Sequence, residues 1–385
     1  MSAFFSAFTR EVAFLASSFW DRAMVTWIPL ALMGVLALQL SSGVMRDLPI
    51  VVVDQDRTQV SRELTAGLEA APGLTIAARN PDIAAAEQFI RSKKAYAIVL
   101  IPDGTGRAVQ RGGTAPVTVL YNASYSTASG AAVRDINTVI QNHSARLAAE
   151  HTAALAAAGS VRPAPVSVQS TILFNPQGSY ELQLISLLHP ALLHLAFMVA
   201  VTSALGRELR DGTIGVWLSG SGAVALAIAG KVAPYVLVFM VWGLAATAYL
   251  SGLRGWPVYG SVLTILAAYF LMYLAYAGMA LLIVGISRSM MQSLSVTGLY
   301  AGASFAFAGA IFPIEAASDF ARFWSAILPY TWFARVVAEQ WSMDSPFAVS
   351  LAHLGCMALF LIPGVAIGLP RYVGAAAEPS VWGRR

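Results

Sequence analysis

The sequence predicts an α-helical polytopic membrane protein: six transmembrane helices with an inserted extracytoplasmic α/β domain. Three observations lead there. Of 385 residues, 57% are hydrophobic and 11% charged, where a soluble domain carries roughly 25% charged residues. Six apolar runs reach the roughly 20 residues that cross a bilayer: Met24–Ser42, Leu182–Leu205, Ala223–Leu250, Tyr259–Ile286, Met290–Ile311 and Phe347–Leu369. The charge deficit is uneven, because half of the 24 Lys and Arg residues fall in one wetter segment, 43–179.

The first run follows a stretch that includes Arg10, Glu11, Asp21 and Arg22. A cleavable signal has a short basic start and a shorter apolar core, so residues 24–42 are expected to remain as a span. Residues 1–23 space their aromatics and aliphatics at helical intervals, which predicts an interfacial amphipathic helix leading into that span. The other five runs fall between 180 and 372, and 373–385 form a tail. An even count puts both termini on one side. Arg10, Arg22, Arg207, Arg210, Arg288, Arg371, Arg384 and Arg385 fall on that side, against Arg254, Arg322 and Arg335 on the other. Short arginine-rich loops stay in the cytoplasm, so both termini are expected there. Lys231, near the start of the third run, can snorkel to the same side.

Segment 43–179 is too long for a structureless connection. Leu48–Val53 is a β-branched run ending at Asp54 and Asp56. Thr58–Ala71 has helical spacing and stops at Pro72-Gly73. Leu74–Ala78 reads as a strand, Pro81–Lys94 as a helix, Ala95–Pro102 and Pro116–Asn122 as strands, and Ser126–Ala158 as an alanine-rich helix. The order β-α-β-α-β-β-α predicts an α/β module. Val161–Val168, with two prolines, reads as an extended return linker. Residues 312–345 are too polar to span and too apolar for a plain loop. They predict short helices at the outer surface, broken at Pro329, with Trp324, Tyr330, Trp332 and Trp341 as interfacial aromatics.

One dense knot of charge interrupts the apolar runs. Gly206–Gly220, GRELRDGTIGVWLSG, places Arg207, Glu208, Arg210 and Asp211 within five positions. Each would cost roughly 3 kcal/mol unpaired in hydrocarbon, so all four are expected to face water, headgroups or a protein. Gly212 and Gly215 permit a bend, and Thr213 can cap the next turn. Ile214, Val216, Trp217 and Leu218 then supply an apolar side. Two readings fit: a solvated connector, or a docking helix whose apolar anchor carries a charged rim.

RELRDGTIGVWL resembles the signature of type-2 ABC exporter permeases. LPIVVVDQDRTQVSRELTAGLEAAPGLTI is similar to the start of the large extracytoplasmic domain that some of these permeases carry between their first two spans. AGAIFPIEAASDFARFWSAILPYTWFARVV is similar to the stretch before their last span. The likeness covers nearly the whole chain. Val216 departs from it where the family has an acid, and Ser318-Asp319 replace a Met-Pro pair. Ala191 follows Pro190 where glycine is common.

The resemblance implies a coupling helix set in a cleft of a cytoplasmic ATPase subunit, with Arg207, Glu208, Arg210, Asp211, Gly212, Thr213, Trp217 and Leu218 as contacts. Arg288 and Gln292, in the second cytoplasmic loop, are further candidates. Phe312, Pro313, Glu315 and Pro329 fall in an outer gate or re-entrant region. The implied machine pairs two permeases, identical or paralogous, in the lipid of a bacterial inner membrane. Residues 43–179 are then periplasmic, where a periplasmic adaptor protein is a candidate partner. ATP and Mg belong to the partner subunit, and no cofactor is expected on this chain.

The chain itself shows no engine. The nearest string to a phosphate-binding loop, Ala225–Val232, lacks the first glycine and ends in Val232 where Ser or Thr would hold Mg. No catalytic or metal-ligating constellation is visible. His189 and His194 are five apart and fall on different faces of a helix, which favours polar packing within the bundle over a proton relay. Carboxylates are absent from the middles of the runs, whereas ion-coupled carriers place ionisable groups there. A small net charge of +4 without aromatic-interleaved basic stretches excludes nucleic acid. The expected function is therefore outward movement of an amphipathic or hydrophobic cargo. Alternatives are a membrane-anchored sensor or assembly factor with a ligand-binding module, or an ion-coupled secondary carrier.

Overall fold

Helix breakers and caps, more than the apolar runs, fix where each element begins. The computed structural model describes residues 2–113, 115–122, 125–157, 179–219, 223–309 and 314–383. The expected linker Val161–Val168 lies outside them, as do Phe312 and Pro313. The chain divides into two units, one of Met1–Ser41 with Tyr180–Arg385, the other of Ser42–Ser179.

The first unit opens with α1 (Ser2–Ser17). Ser18 then caps α2 (Phe19–Val25): its hydroxyl donates to the Asp21 carboxylate at 2.6 Å and accepts from the Asp21 N–H. α3 (Trp27–Gln39) follows after a break at Thr26. The first apolar helix therefore runs Phe19–Gln39, five residues ahead of the run read from sequence.

The inserted unit is built from β1 (Leu48–Asp54), α4 (Gln59–Glu69), β2 (Leu74–Arg79), α5 (Ile83–Arg91), β3 (Ala97–Ile101), α6 (Thr105–Gln110), β4 (Thr118–Tyr121) and α7 (Ser126–Ala157). The sheet order is β2-β1-β3-β4, with β1 parallel to both neighbours and β4 antiparallel to β3. Side chains alternate across a strand. Ile50 and Val52 accordingly share one core with Leu64 and Leu68 of α4 and Ile136 of α7. Val51 and Val53 share another with Ala86 beside α5's Phe89. Both faces of β1 are covered, which is why it reads as continuous Val and Ile. The short helix α6 was not legible beforehand.

The first unit resumes with α8 (Tyr180–Arg210), α9 (Ile214–Ser219) and α10 (Val224–Ala248), the last extended by a π-helical turn at Tyr249–Leu253. α11 (Val262–Ser287) is capped by Ser261. α12 (Met290–Gly302) and α13 (Ser304–Phe307) come next. α14 (Asp319–Ala326) and α15 (Pro329–Trp341) lead to α16 (Phe347–Leu359), α17 (Leu361–Pro363) and α18 (Leu369–Ala375). A π-helical stretch, Gly364–Gly368, joins the last two, so Phe347–Ala375 is one 29-residue helix.

Among the described residues, five helices are long and apolar enough to cross a membrane: Phe19–Gln39, Tyr180–Arg210, Val224–Leu253, Val262–Ser287 and Phe347–Ala375. The sixth run is helical but interrupted at Ala303. Gly298 and Gly302 weaken that helix. Tyr300 also donates its hydroxyl to the Ile327 carbonyl at 2.6 Å, which ties the break to the turn before α15.

Aromatic packing holds the bundle. Phe197 of α8, Phe239 of α10 and Tyr273 of α11 form a triad with ring centroids 4.9–6.0 Å apart. α11 and the last helix meet through backbone: a Cβ on Gly364 would lie 2.3 Å from the Gly278 carbonyl, so only glycine permits that approach. At one end Glu181, fully buried, accepts from Arg254 at 2.6 and 2.9 Å and from the Trp256 indole at 2.9 Å. Two of the expected interfacial aromatics are instead core residues. Tyr330 is 0% exposed and donates to the Leu187 carbonyl, and Trp341 is also buried. Pro329 starts α15 at its first position, where a missing N–H costs nothing.

Candidate functional site

The last turn of α8 carries Arg207 and Glu208, and the helix ends in a tight reversal. The Gly212 N–H donates to the Leu209 carbonyl and the Thr213 N–H to the Glu208 carbonyl. Gly212 sits at φ +67, the left-handed position such a terminus requires. α9 starts at once, with the Trp217 N–H donating to the Thr213 carbonyl. Ile214 and Leu218 face inward, while Val216 is 81% exposed. The expected apolar side of this helix is therefore made by Ile214 and Leu218, with Val216 on its outer face.

The knot does not turn outward as a whole. Arg207 and Glu208 are buried, against the expectation that all four charges face water, headgroups or a protein. Partners from distant sequence make the burial affordable. Arg207 donates to Glu11 of α1 at 2.7 Å and to Asp21 of α2 at 3.3 Å. Its guanidinium also lies 3.4 Å from the centre of the Phe14 ring. Glu208 accepts from Arg10 at 3.0 Å, from Lys231 of α10 at 2.8 Å and from the Thr213 hydroxyl. Lys231 does not snorkel: it is 1% exposed and bridges Glu208 to Glu11, the latter at 2.5 Å. Tyr235 adds a hydroxyl donor to Glu11 at 2.7 Å.

The cluster holds three cations, Arg10, Arg207 and Lys231, and three carboxylates, Glu11, Asp21 and Glu208. Buried charges are tolerated only when paired and hydrogen-bonded, and each here has at least one opposite partner. Trp217 packs against it, its ring 5.2 Å from the Lys231 ammonium and 5.7 Å from the Arg10 guanidinium. Sequence reasoning missed Glu11 and Lys231 as members. The signal was a lone acid on an apolar helix and a lone lysine inside an apolar run, each needing a counter-charge.

The remaining expected residues separate. Arg210 and Asp211 stay half exposed and pair with each other at 2.7 Å. Arg288, at φ +50, reaches Glu378 of the C-terminal segment at 2.7 Å. Gln292 is exposed at the start of α12. Glu315 is exposed beside Arg335 at 3.4 Å. The C-terminal segment returns to the turn: Trp382 packs on Gly212 and Gly215, and the Gly383 N–H donates to the Leu209 carbonyl at 3.1 Å. α1 clings to α10 so closely that a Cβ on Gly230 would lie 2.2 Å from the Phe4 carbonyl.

Two further polar sites lie in the bundle. His194 is stacked between Tyr276 and Tyr330, at 4.4 and 4.9 Å, with ring nitrogens near the Pro190 and Ala301 carbonyls. His189 is buried, and among the described residues neither of its ring nitrogens has a hydrogen-bond partner. His353 lies 2.8 Å from Glu339. The loop-like string Ala225–Val232 lies inside α10, a helix rather than a phosphate-cradling loop.

The sequence pattern of ABC-2 family transporter proteins matches residues 19–369. The chain belongs to the ABC-2 transporter family. No curated protein matches it. Family membership makes this ABC-2 chain a multi-pass membrane component of a transporter and implies a partner ATPase subunit.

Proposed function

We propose that this ABC-2 chain is the permease subunit of an exporter. It moves an amphipathic or hydrophobic cargo outward by alternating access, driven by a separate ATPase that binds ATP and Mg. The observation that carries this reading is the neutral charge cluster. It ties α1, α2 and α10 to the α8–α9 turn, so a push on that turn reaches three apolar helices at once. What remains outward at the turn is Arg210, Asp211 and Val216, an apolar tip with a charged rim.

Placement of the termini supports a common side for both. Arg10 near the start and Trp382 near the end both pack at the α8–α9 turn. With arginines concentrated there, that side is cytoplasmic and the inserted unit is periplasmic. A second permease copy has a surface to meet: Ser295, Gly298 and Gly302 of α12 are exposed, and a Cβ on either glycine would enter open space. Small residues so spaced let two membrane helices approach closely. An apolar groove of about 600 Å³ between α1, α10, α11 and the last helix has no charged side chain in its lining, which suits a hydrophobic cargo.

Co-purification tests the reading. The chain is expected to recover a cognate ATPase and raise its hydrolysis rate. Arg210→Ala with Asp211→Ala is expected to abolish recovery while leaving the thermal midpoint of the permease unchanged. Full recovery of the ATPase by that double variant would remove the turn from the interface.

A further inference from the structure

The inserted unit holds a crevice that transport leaves unused. β1 and β2 run parallel, and the Asn80 N–H donates to the Val52 carbonyl at 3.0 Å where they end. In open α/β sheets ligands bind outside the carboxyl ends of the strands where the strand order reverses, which here is between β1 and β3. On the β1–β3 side this edge is closed, because the Asp56 carboxylate accepts from the Gly106 N–H at 2.9 Å and from the Thr58 hydroxyl. On the β1–β2 side it is open. A cavity of about 410 Å³ there is lined by Asp54, Arg57, Arg62, Glu69, Arg79 and Asn80, with apolar neighbours. That volume falls among small-molecule sites, which run from roughly 300 to 1,000 Å³.

The lining is unbalanced: three guanidinium groups against two carboxylates. Both acids are already engaged. Asp54 accepts from the N–H groups of Asp56 and Arg57 at 3.0 Å and from the Ser61 hydroxyl at 2.8 Å. Glu69 accepts from Arg79 at 2.6 Å. Arg62 donates to the Arg57 carbonyl at 2.9 Å, and among the described residues neither Arg57 nor Arg62 pairs with a carboxylate. Arg57 holds φ +52, a backbone state rare for non-glycine residues and concentrated at functional sites. Planar guanidinium forks match the oxygen geometry of phosphate.

We infer that this crevice binds a phosphate group, gripped by Arg57 and Arg62 with Arg79 as a third donor. The group arrives on a soluble phosphomonoester or on a lipid headgroup, and the inference does not depend on the transport reading.

Titration of inorganic phosphate into the full-length chain tests it, in nanodiscs of phosphatidylcholine and in matched discs containing phosphatidic acid. Binding is read from the phosphorus resonance of the free ion. Saturable binding is expected in phosphatidylcholine discs. Arg57→Gln or Arg62→Gln should weaken it at least about tenfold. Arg111→Gln, an exposed arginine outside the crevice, should not alter it. Glu69→Gln should tighten it, because Arg79 is released and a negative charge removed; a misfolded variant would not do this. Phosphate excluded only from the phosphatidic acid discs identifies the lipid source, and equal binding in both identifies the soluble one. No saturable binding by the wild-type chain, or equal affinity in the Arg57 and Arg62 variants, overturns the inference.

Discussion

Lys231 is the residue on which the cluster turns. Among the described residues it is the one cation bonded to both Glu11 and Glu208, and all three side chains are almost fully enclosed. Lys231→Met leaves two carboxylates facing each other, and breaking a buried pair costs about 3–5 kcal/mol. The expected result is a marked fall in the thermal midpoint of the detergent-solubilised chain. Lys231→Met with Glu11→Gln should recover part of that loss, since it restores the balance of the cluster to two cations, Arg10 and Arg207, against two carboxylates, Asp21 and Glu208. Tyr235→Phe removes a single donor to Glu11 and should cost about 1 kcal/mol. None of this was readable from local sequence. Arg207 and Glu208 looked outward because their partners lie some two hundred positions earlier in α1 and twenty-odd positions later in α10. Desolvation cost alone said only that these charges needed company, not that the chain would supply it.

Among the elements, the reversal between α8 and α9 was the most legible. Its glycine and its apolar anchors follow from local chemistry, and Gly212 takes the left-handed backbone that the bend needs, whereas the Thr213 hydroxyl donates to Glu208. Gly212→Ala should therefore cost about 1–2 kcal/mol from backbone strain, measurable as a lowered midpoint. The strands of the inserted unit were equally legible, because β1 alternates between two cores and ends in aspartates. The amphipathic pattern of α1 was visible, but not the helix it would meet. Its clamp depends on Gly230, where any side chain would strike the Phe4 backbone. Gly230→Leu should free α1 and raise tryptic cleavage after Arg10, whose side chain is already half exposed, in folded protein; unchanged cleavage would show that α1 does not need this contact. The break between α12 and α13 was not visible because average hydropathy does not register the paired glycines, Gly298 and Gly302, that weaken the helix there.

At the scale of the molecule, composition and run length gave the membrane class, and the family pattern over residues 19–369 agrees with it. Among the described residues, five helices meet the length and hydropathy that crossing requires, and the sixth run is helical with a break at Ala303. If α12 meets a second copy, Gly298→Leu should lower the dimer fraction seen by light scattering, with the monomer still folded. On the proposed function, an ATPase drives this chain through the α8–α9 turn. Cys356 is its one cysteine, so a Cys356→Ser background allows a single reporter at Val216→Cys, on the outer face of α9. Cross-linking in membranes that contain the cognate ATPase tests the claim most directly. The expected result is an adduct with the ATPase whose yield changes when ATP is added. An adduct-free result, with Val216→Cys labelled instead by an impermeant thiol reagent from the periplasmic side, would contradict it.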